Sequence, residues 1–88
     1  MNETRRIELR REKRRELYKE LKAQYLNDYW KGVKNEANEV SDTLDYYEES
    51  VVRHGEGIDI GYAFLIDELE NYGEYGLIES IRKIVEVE

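Results

Sequence analysis

His54 is the only side chain in this sequence that ordinarily changes charge near neutral pH, and the chain contains no cysteine. These two facts bound the available chemistry. Thiolate nucleophiles, disulfides and sulfur metal ligands are all removed. A histidine base needs a partner at a workable distance. The run His54-Gly55-Glu56-Gly57-Ile58-Asp59 has neither the helical HExxH spacing of a zinc site nor the ligand positions of a calcium loop. Gly55, Gly57 and Gly61 miss the spacing of a dinucleotide-binding turn by one residue, and no strand-helix-strand pattern surrounds them. Thr4, Ser41, Thr43, Ser50 and Ser80 have no histidine placed to activate them. The expectation is a protein that is not an enzyme, holds no metal or cofactor, and carries His54 as an exposed loop residue.

The remaining ionisable groups are sorted along the chain. Residues 1–34 hold eleven Lys/Arg against six acids, a net +5, while residues 35–88 hold three against fifteen, a net −12, within an overall −7. Charge segregated in this way acts on partners and association rates more than on fold. At the basic end, Glu8, Glu12, Glu16 and Glu20 share one helical flank and Arg11, Arg15, Lys19 and Lys22 line the next. Pairs such as Glu8 with Arg11 and Glu12 with Arg15 would each contribute about 0.2–0.5 kcal/mol. Arg10 and Arg14 occupy the phase that Leu17, Leu21 and Tyr25 use for burial. Residues 1–16 are therefore expected to project beyond the core, with Arg5, Arg6, Arg10, Arg11, Arg14 and Arg15 open to phosphates or to an acidic surface. At the acidic end, Glu36, Glu39, Asp42, Asp45, Glu48 and Glu49 form a dense anionic surface that can imitate nucleic-acid phosphates before a basic groove. Tyr46, Tyr72 and Tyr75 fall off the apolar stripes and suit interface anchors.

Helices must position these groups, because the chain has no proline and only Gly32 interrupts it before Gly55. From Ile7 the series Ile7, Leu17 or Tyr18, Leu21, Tyr25, Tyr29 and Val33 follows one face at helical period. A second series, Leu26, Trp30, Val33, Ala37, Val40, Leu44, Tyr47 and Val51, alternates four and three as a heptad-like seam, which a second copy could pair with as a homodimer. The two stripes point about a quarter turn apart, which predicts a bend or break near Gly32. Arg53 to Gly57 reads as a loop and Asp59 as a helix cap. Ile58, Tyr62, Leu65, Ile66 and Leu69 form an apolar face beside Phe64, and Asn71-Tyr72-Gly73 forms a stop. Leu77, Ile78, Ile81, Ile84 and Val85 predict a last helix, although the alternating tail from Lys83 to Glu88 also fits a short strand. The expected fold is all-α and a single domain over residues 1–88: a long N-terminal helix, bent or broken near Gly32, packs on a short C-terminal helical hairpin.

In composition the chain resembles the small acidic, tyrosine-rich inhibitors that phages and mobile elements encode, with no residue-by-residue correspondence. From its charge, aromatics and helix faces the expected function is a non-enzymatic protein-interaction module, a small acidic inhibitor or regulator that docks on a basic, nucleic-acid-binding surface of another protein. Two alternatives stand beside it: direct nucleic-acid binding through the basic helix, and a self-associating scaffold. No run approaches the roughly 18 apolar residues of a membrane span and no apolar leader opens the chain, so a cytoplasmic location is expected.

Overall fold

Nothing in the first half of the chain except Gly32 opposes helix, and helix α1 runs from Glu3 to Tyr29. Its 27 residues at about 1.5 Å each cover most of the 46 Å long axis of the molecule. The computed structural model describes residues 3–30 and 34–87, with the side chains of Tyr29 and of residues 34–37 left out. Helix α2 (Lys34–Tyr46) follows, so the first helix ends where the two apolar stripes diverge; Gly32 itself lies outside the described residues. A second bend, not expected from the sequence, falls at Tyr47 (φ −99°, ψ 10°) and separates α2 from α3 (Glu48–Arg53). Helical bonding persists across it, from the Tyr47 amide to Thr43 O at 3.1 Å and from the Val51 amide to Tyr47 O at 3.2 Å. Helices α4 (Ile60–Asn71) and α5 (Tyr75–Val85) form the C-terminal hairpin, and no strand occurs among the described residues.

Local chemistry sets the hairpin as expected. The Asp59 carboxylate accepts from the Tyr62 amide at 3.1 Å and satisfies one of the free donors that open α4. At its other end the Gly73 amide donates to Glu70 O at 3.0 Å and the Glu74 amide to Leu69 O at 2.9 Å, the paired bonds of a Schellman stop. The alternating tail is not a strand. Helix α5 continues through Val85, and the Glu86 and Val87 amides donate back to Arg82 and Ile84 carbonyls at 3.2 Å. Helical phase wins there because Leu77, Ile78, Ile81 and Ile84 all bury on one stripe, whereas a lone strand would have no edge to pair with.

The core joins all five helices of the described residues. Tyr18 from α1, Val40 and Leu44 from α2, Val51 from α3, Leu65 and Leu69 from α4 and Ile81 from α5 are almost wholly removed from solvent. Each such aliphatic side chain contributes about 1.5–3 kcal/mol of burial. The Tyr18 hydroxyl donates to Leu44 O at 2.6 Å, which crosslinks α1 to α2. Burial, with Glu48 and Asp45 behind it, raises that phenol above its ordinary 10.0. Helices α3 and α4 meet at Gly61, where a Cβ would lie 2.1 Å from Ser50 Oγ and 3.0 Å from Ser50 Cβ. No residue larger than glycine fits that crossing without displacing α3.

Two expectations about apolar faces change. Val40, Leu44 and Val51 of the heptad-like seam lie inside the chain's own core, so those three positions cannot pair two copies, whereas Leu26 and Tyr47 are half-buried and Trp30 is 48% exposed; Val33 and the Ala37 side chain lie outside the described residues. Ile58 does not join the inner face of α4 and is 98% exposed. It precedes the Asp59 cap, where the chain has not yet entered the helix, so helical phase does not apply to it.

The opposite charge poles fold onto each other. Arg11 binds Glu56 through Nε at 2.7 Å and a terminal nitrogen at 2.6 Å, Arg15 binds Glu49 at 2.6 Å, and Lys22 binds Asp45. Partner numbers fall as α1 numbers rise, so the pairs fix an antiparallel register between α1 and the α2–α3 segment. The expected pairs Glu8 with Arg11 and Glu12 with Arg15 give way to these longer-range ones, although Arg5 does reach Glu8 at 3.6 Å. Exposed pairs of this kind contribute about 0.2–1 kcal/mol each, enough to choose a register but not to build a core. The Arg15 hydrogen bond holds the Glu49 carboxyl below its usual range, and Glu49 raises Arg15 in turn.

Arg14 overturns the reading of the basic segment as one that buries nothing. It is 5% exposed, and its guanidinium donates to Val85 O at 3.0 Å, Val87 O at 3.3 Å, Val52 O at 3.5 Å and His54 O. These carbonyls close α3 and α5, so a buried cation faces the negative ends of two helix dipoles with no carboxylate among its bonded partners. Gly55 permits the arrangement. Its φ of +95° suits glycine, and a Cβ there would sit 3.4 Å from the guanidinium.

Candidate interaction surface

Folding divides the six acids singled out in the sequence. Asp45 and Glu49 face α1 and are paired with Lys22 and Arg15. Glu39 and Asp42 point outward, Glu48 is half-buried, and the Glu36 side chain lies outside the described residues. One face of α2 therefore holds α1 in place and the other meets solvent.

The outward face gathers aromatics. Tyr46 is 80% exposed and stands edge-on to Tyr47, ring centroids 4.8 Å apart. Both rings, with Asp42, Thr43 and Glu68, line an open groove between α2 and α4. Burial, then the neighbouring Glu68, raises the Tyr47 phenol above its ordinary value. Tyr72 lies one helical turn beyond Glu68 on α4, and Tyr75 opens α5; both are exposed. The structure thus unites Asp42 with Tyr46 and adds Glu68, which the sequence had not singled out. Its signal was present in the four-residue step from Glu68 to Tyr72, but only the packing of α4 on α2 reveals it. An anionic groove with exposed phenol rings is chemically suited to lysine and arginine side chains, through ion pairs and cation–π contact.

The basic set fares differently. Arg11, Arg14 and Arg15 are engaged within the fold as described, and Arg10 is half-buried. Arg5 and Arg6 remain exposed on the first turns of α1.

His54 is not the exposed loop residue expected. Its ring stacks on Tyr62, with centroids 3.8 Å apart and planes inclined by 29°, while its carbonyl accepts from Arg14. Nδ1 is buried without a hydrogen-bond partner, so no neighbouring acid or hydroxyl orients the imidazole as a base. A second open cleft is lined by Arg11, Glu49, Ser50, Arg53, Glu56, Gly57, Ile58 and Asp59, where the arginines and glutamates already pair. Among the described residues no cluster of three or more histidines and acids is arranged to hold a metal ion, and no helix is long and apolar enough to cross a membrane. Comparison with protein families, with curated protein sequences and with solved structures finds no match.

Proposed function

We propose that this chain is a non-enzymatic protein-docking module whose acidic, aromatic face on α2 and α4 seats on a basic surface of a partner protein. The observation that supports it is the asymmetry left after folding. Arg14 is buried and Arg11, Arg15 and Lys22 are paired internally, while Glu39 is exposed and Asp42 and Tyr46 are turned outward beside Glu68. A partner surface that normally binds nucleic acid would offer the matching lysines and arginines, and occupying it would inhibit or regulate that partner. Glu39, Asp42 and Glu68 supply the charge in this reading, and Tyr46 and Tyr72 the anchors. Asp45 and Glu49 contribute through the α1 register instead.

The test is capture of cellular proteins on the immobilised full chain, with identification of those released by added duplex DNA. Replacing Glu39, Asp42 and Glu68 together by lysine is expected to abolish the DNA-sensitive capture, whereas Arg5→Glu with Arg6→Glu leaves it intact. At about 0.15 M salt the intact chain, at −7 overall, is expected to give no measurable binding to duplex DNA. Tight DNA or RNA binding lost on reversing Arg5 and Arg6 would replace this reading with direct nucleic-acid binding.

A further inference from the structure

Glu56, Glu49 and Asp45 are each neutralised by cations of this chain: Arg11 for the first, Arg15 with Arg53 for the second and Lys22 for the third. Asp42 and Glu68 are not. They line one groove from α2 and α4, no Lys or Arg lines it with them, and neither carboxylate forms an ion pair among the described residues. The rest of that lining is aromatic and hydroxyl. Tyr46 stays 80% exposed while Tyr47 meets it with ring planes inclined by 83°, a T-shaped contact that holds both rings in place. Thr43 is 9% exposed, and its hydroxyl has no hydrogen bond among the described residues. A hydroxyl set this deep without an internal partner can accept from a donor that enters the groove, whose volume of about 380 Å³ has room for one long side chain.

We propose that this groove is a socket for a single arginine side chain of the partner protein, its guanidinium lying on the Tyr46 ring and donating to the Asp42 and Glu68 carboxylates. The inference rests on the docking proposed above and names the group that the groove takes. Arginine is favoured over lysine because the two carboxylates come from different helices, so one cation must donate in two directions. A planar guanidinium with five N–H groups does this, and a compact ammonium does it less well. The flat group also stacks on an exposed phenol ring and gives up water more readily than an ammonium does. Thr43 then accepts a further N–H at the base of the groove.

The experiment is titration of the isotope-labelled full chain with a peptide of alternating glycine and arginine, followed by amide NMR. The same peptide with lysine, or with uncharged citrulline, replaces it in parallel titrations. The arginine peptide is expected to shift the amides of residues 42–47 and of Glu68, and to bind about fivefold more tightly than the lysine peptide. Citrulline should abolish measurable binding. Asp42→Asn, Glu68→Gln and Tyr46→Leu should each weaken the arginine peptide by about fivefold and Thr43→Val by less. Glu79→Gln, which removes the same charge from an exposed position on α5, should leave the affinity within about twofold. Lysine as tight as arginine, shifts spread evenly over the acidic surface, or Glu79→Gln as costly as Glu68→Gln would overturn the socket. Should Glu68→Gln disturb the helical circular dichroism, Asp42→Asn supplies the same comparison and is read in the same way. DNA-sensitive capture without a preference for arginine would strike the socket and leave the docking, whereas arginine binding here without that capture would strike the nucleic-acid-binding partner and leave the socket.

Discussion

Replacing Arg14 by methionine removes the guanidinium but keeps a long unbranched side chain in the same space. Four backbone carbonyls then lose their donor: Val52 and His54 at the end of α3, Val85 and Val87 at the end of α5. Hydrogen bonds to a charged donor contribute about 1.5–3 kcal/mol each, and the 3.5 Å contact to Val52 O is too long to count fully. Against this stands the cost of burying the cation, raised by an Nε that has no partner. Leaving three carbonyls without their donor costs about 1–3 kcal/mol each, and after the relief of no longer burying a cation a net loss of about 3–5 kcal/mol follows. A domain of 88 residues commonly has about 4–13 kcal/mol in total, so the variant should melt at least about 15 °C lower. Arg14→Lys should fall between the two, because an ammonium cannot fork toward both helix ends. Arg15→Met, which loses one exposed pair, should cost no more than about 1 kcal/mol. Thermal melts followed by circular dichroism, with urea titrations to check that the cooperativity is unchanged, measure all three. Deletion of residues 1–9 should be nearly silent and deletion of residues 1–15 should match Arg14→Met or exceed it. An Arg14→Met midpoint within about 2 °C of the parent would refute the reasoning, since it would mean that water replaces the guanidinium at no cost.

Gly61→Ala should destabilise by about 1–3 kcal/mol through collision with Ser50, and Ser50→Ala in the same chain should recover part of the loss, both read from denaturant midpoints. Tyr18 is neutral in the fold and its phenol is raised above the ordinary 10.0, so its contribution is fully present below pH 10.0 and is lost as pH rises beyond it. Alkaline titration of phenolate absorbance should show one tyrosine ionising only with unfolding, and Tyr18→Phe should abolish that late step; a smooth titration of every tyrosine ahead of unfolding would contradict the burial.

Features carried by a few neighbouring residues were legible in the sequence. The Asp59 cap, the Gly73 stop and the α5 stripe each need only local spacing, and all formed as read. Arg14 was misread although its position was noticed. It occupies the phase of Tyr18, Leu21 and Tyr25, and charge alone argued against burial; the acceptors that reverse the argument come from residues 38 to 73 positions away. The same distance hid the pairing of Arg11, Arg15 and Lys22, since an i,i+3 partner is always visible in a sequence and a facing helix is not. The Tyr47 bend carries neither Gly nor Pro, so no local signal marked it. Tyr46, Tyr72 and Tyr75 were legible as exposed because each falls off every apolar stripe.

The contact between Arg14 and Val87 spans 73 residues. A ribosome delivers the chain from its N-terminus, so α1 emerges as a basic helix whose acidic register partners and closing carbonyls do not yet exist. Its packing cannot be completed until residue 87 has left the exit tunnel. Closing a loop of that length costs about 4 kcal/mol of chain entropy, which no contact within α1 can offset beforehand. Folding of α1 therefore waits on the residues that close α5, and is slower than the helical content alone would suggest.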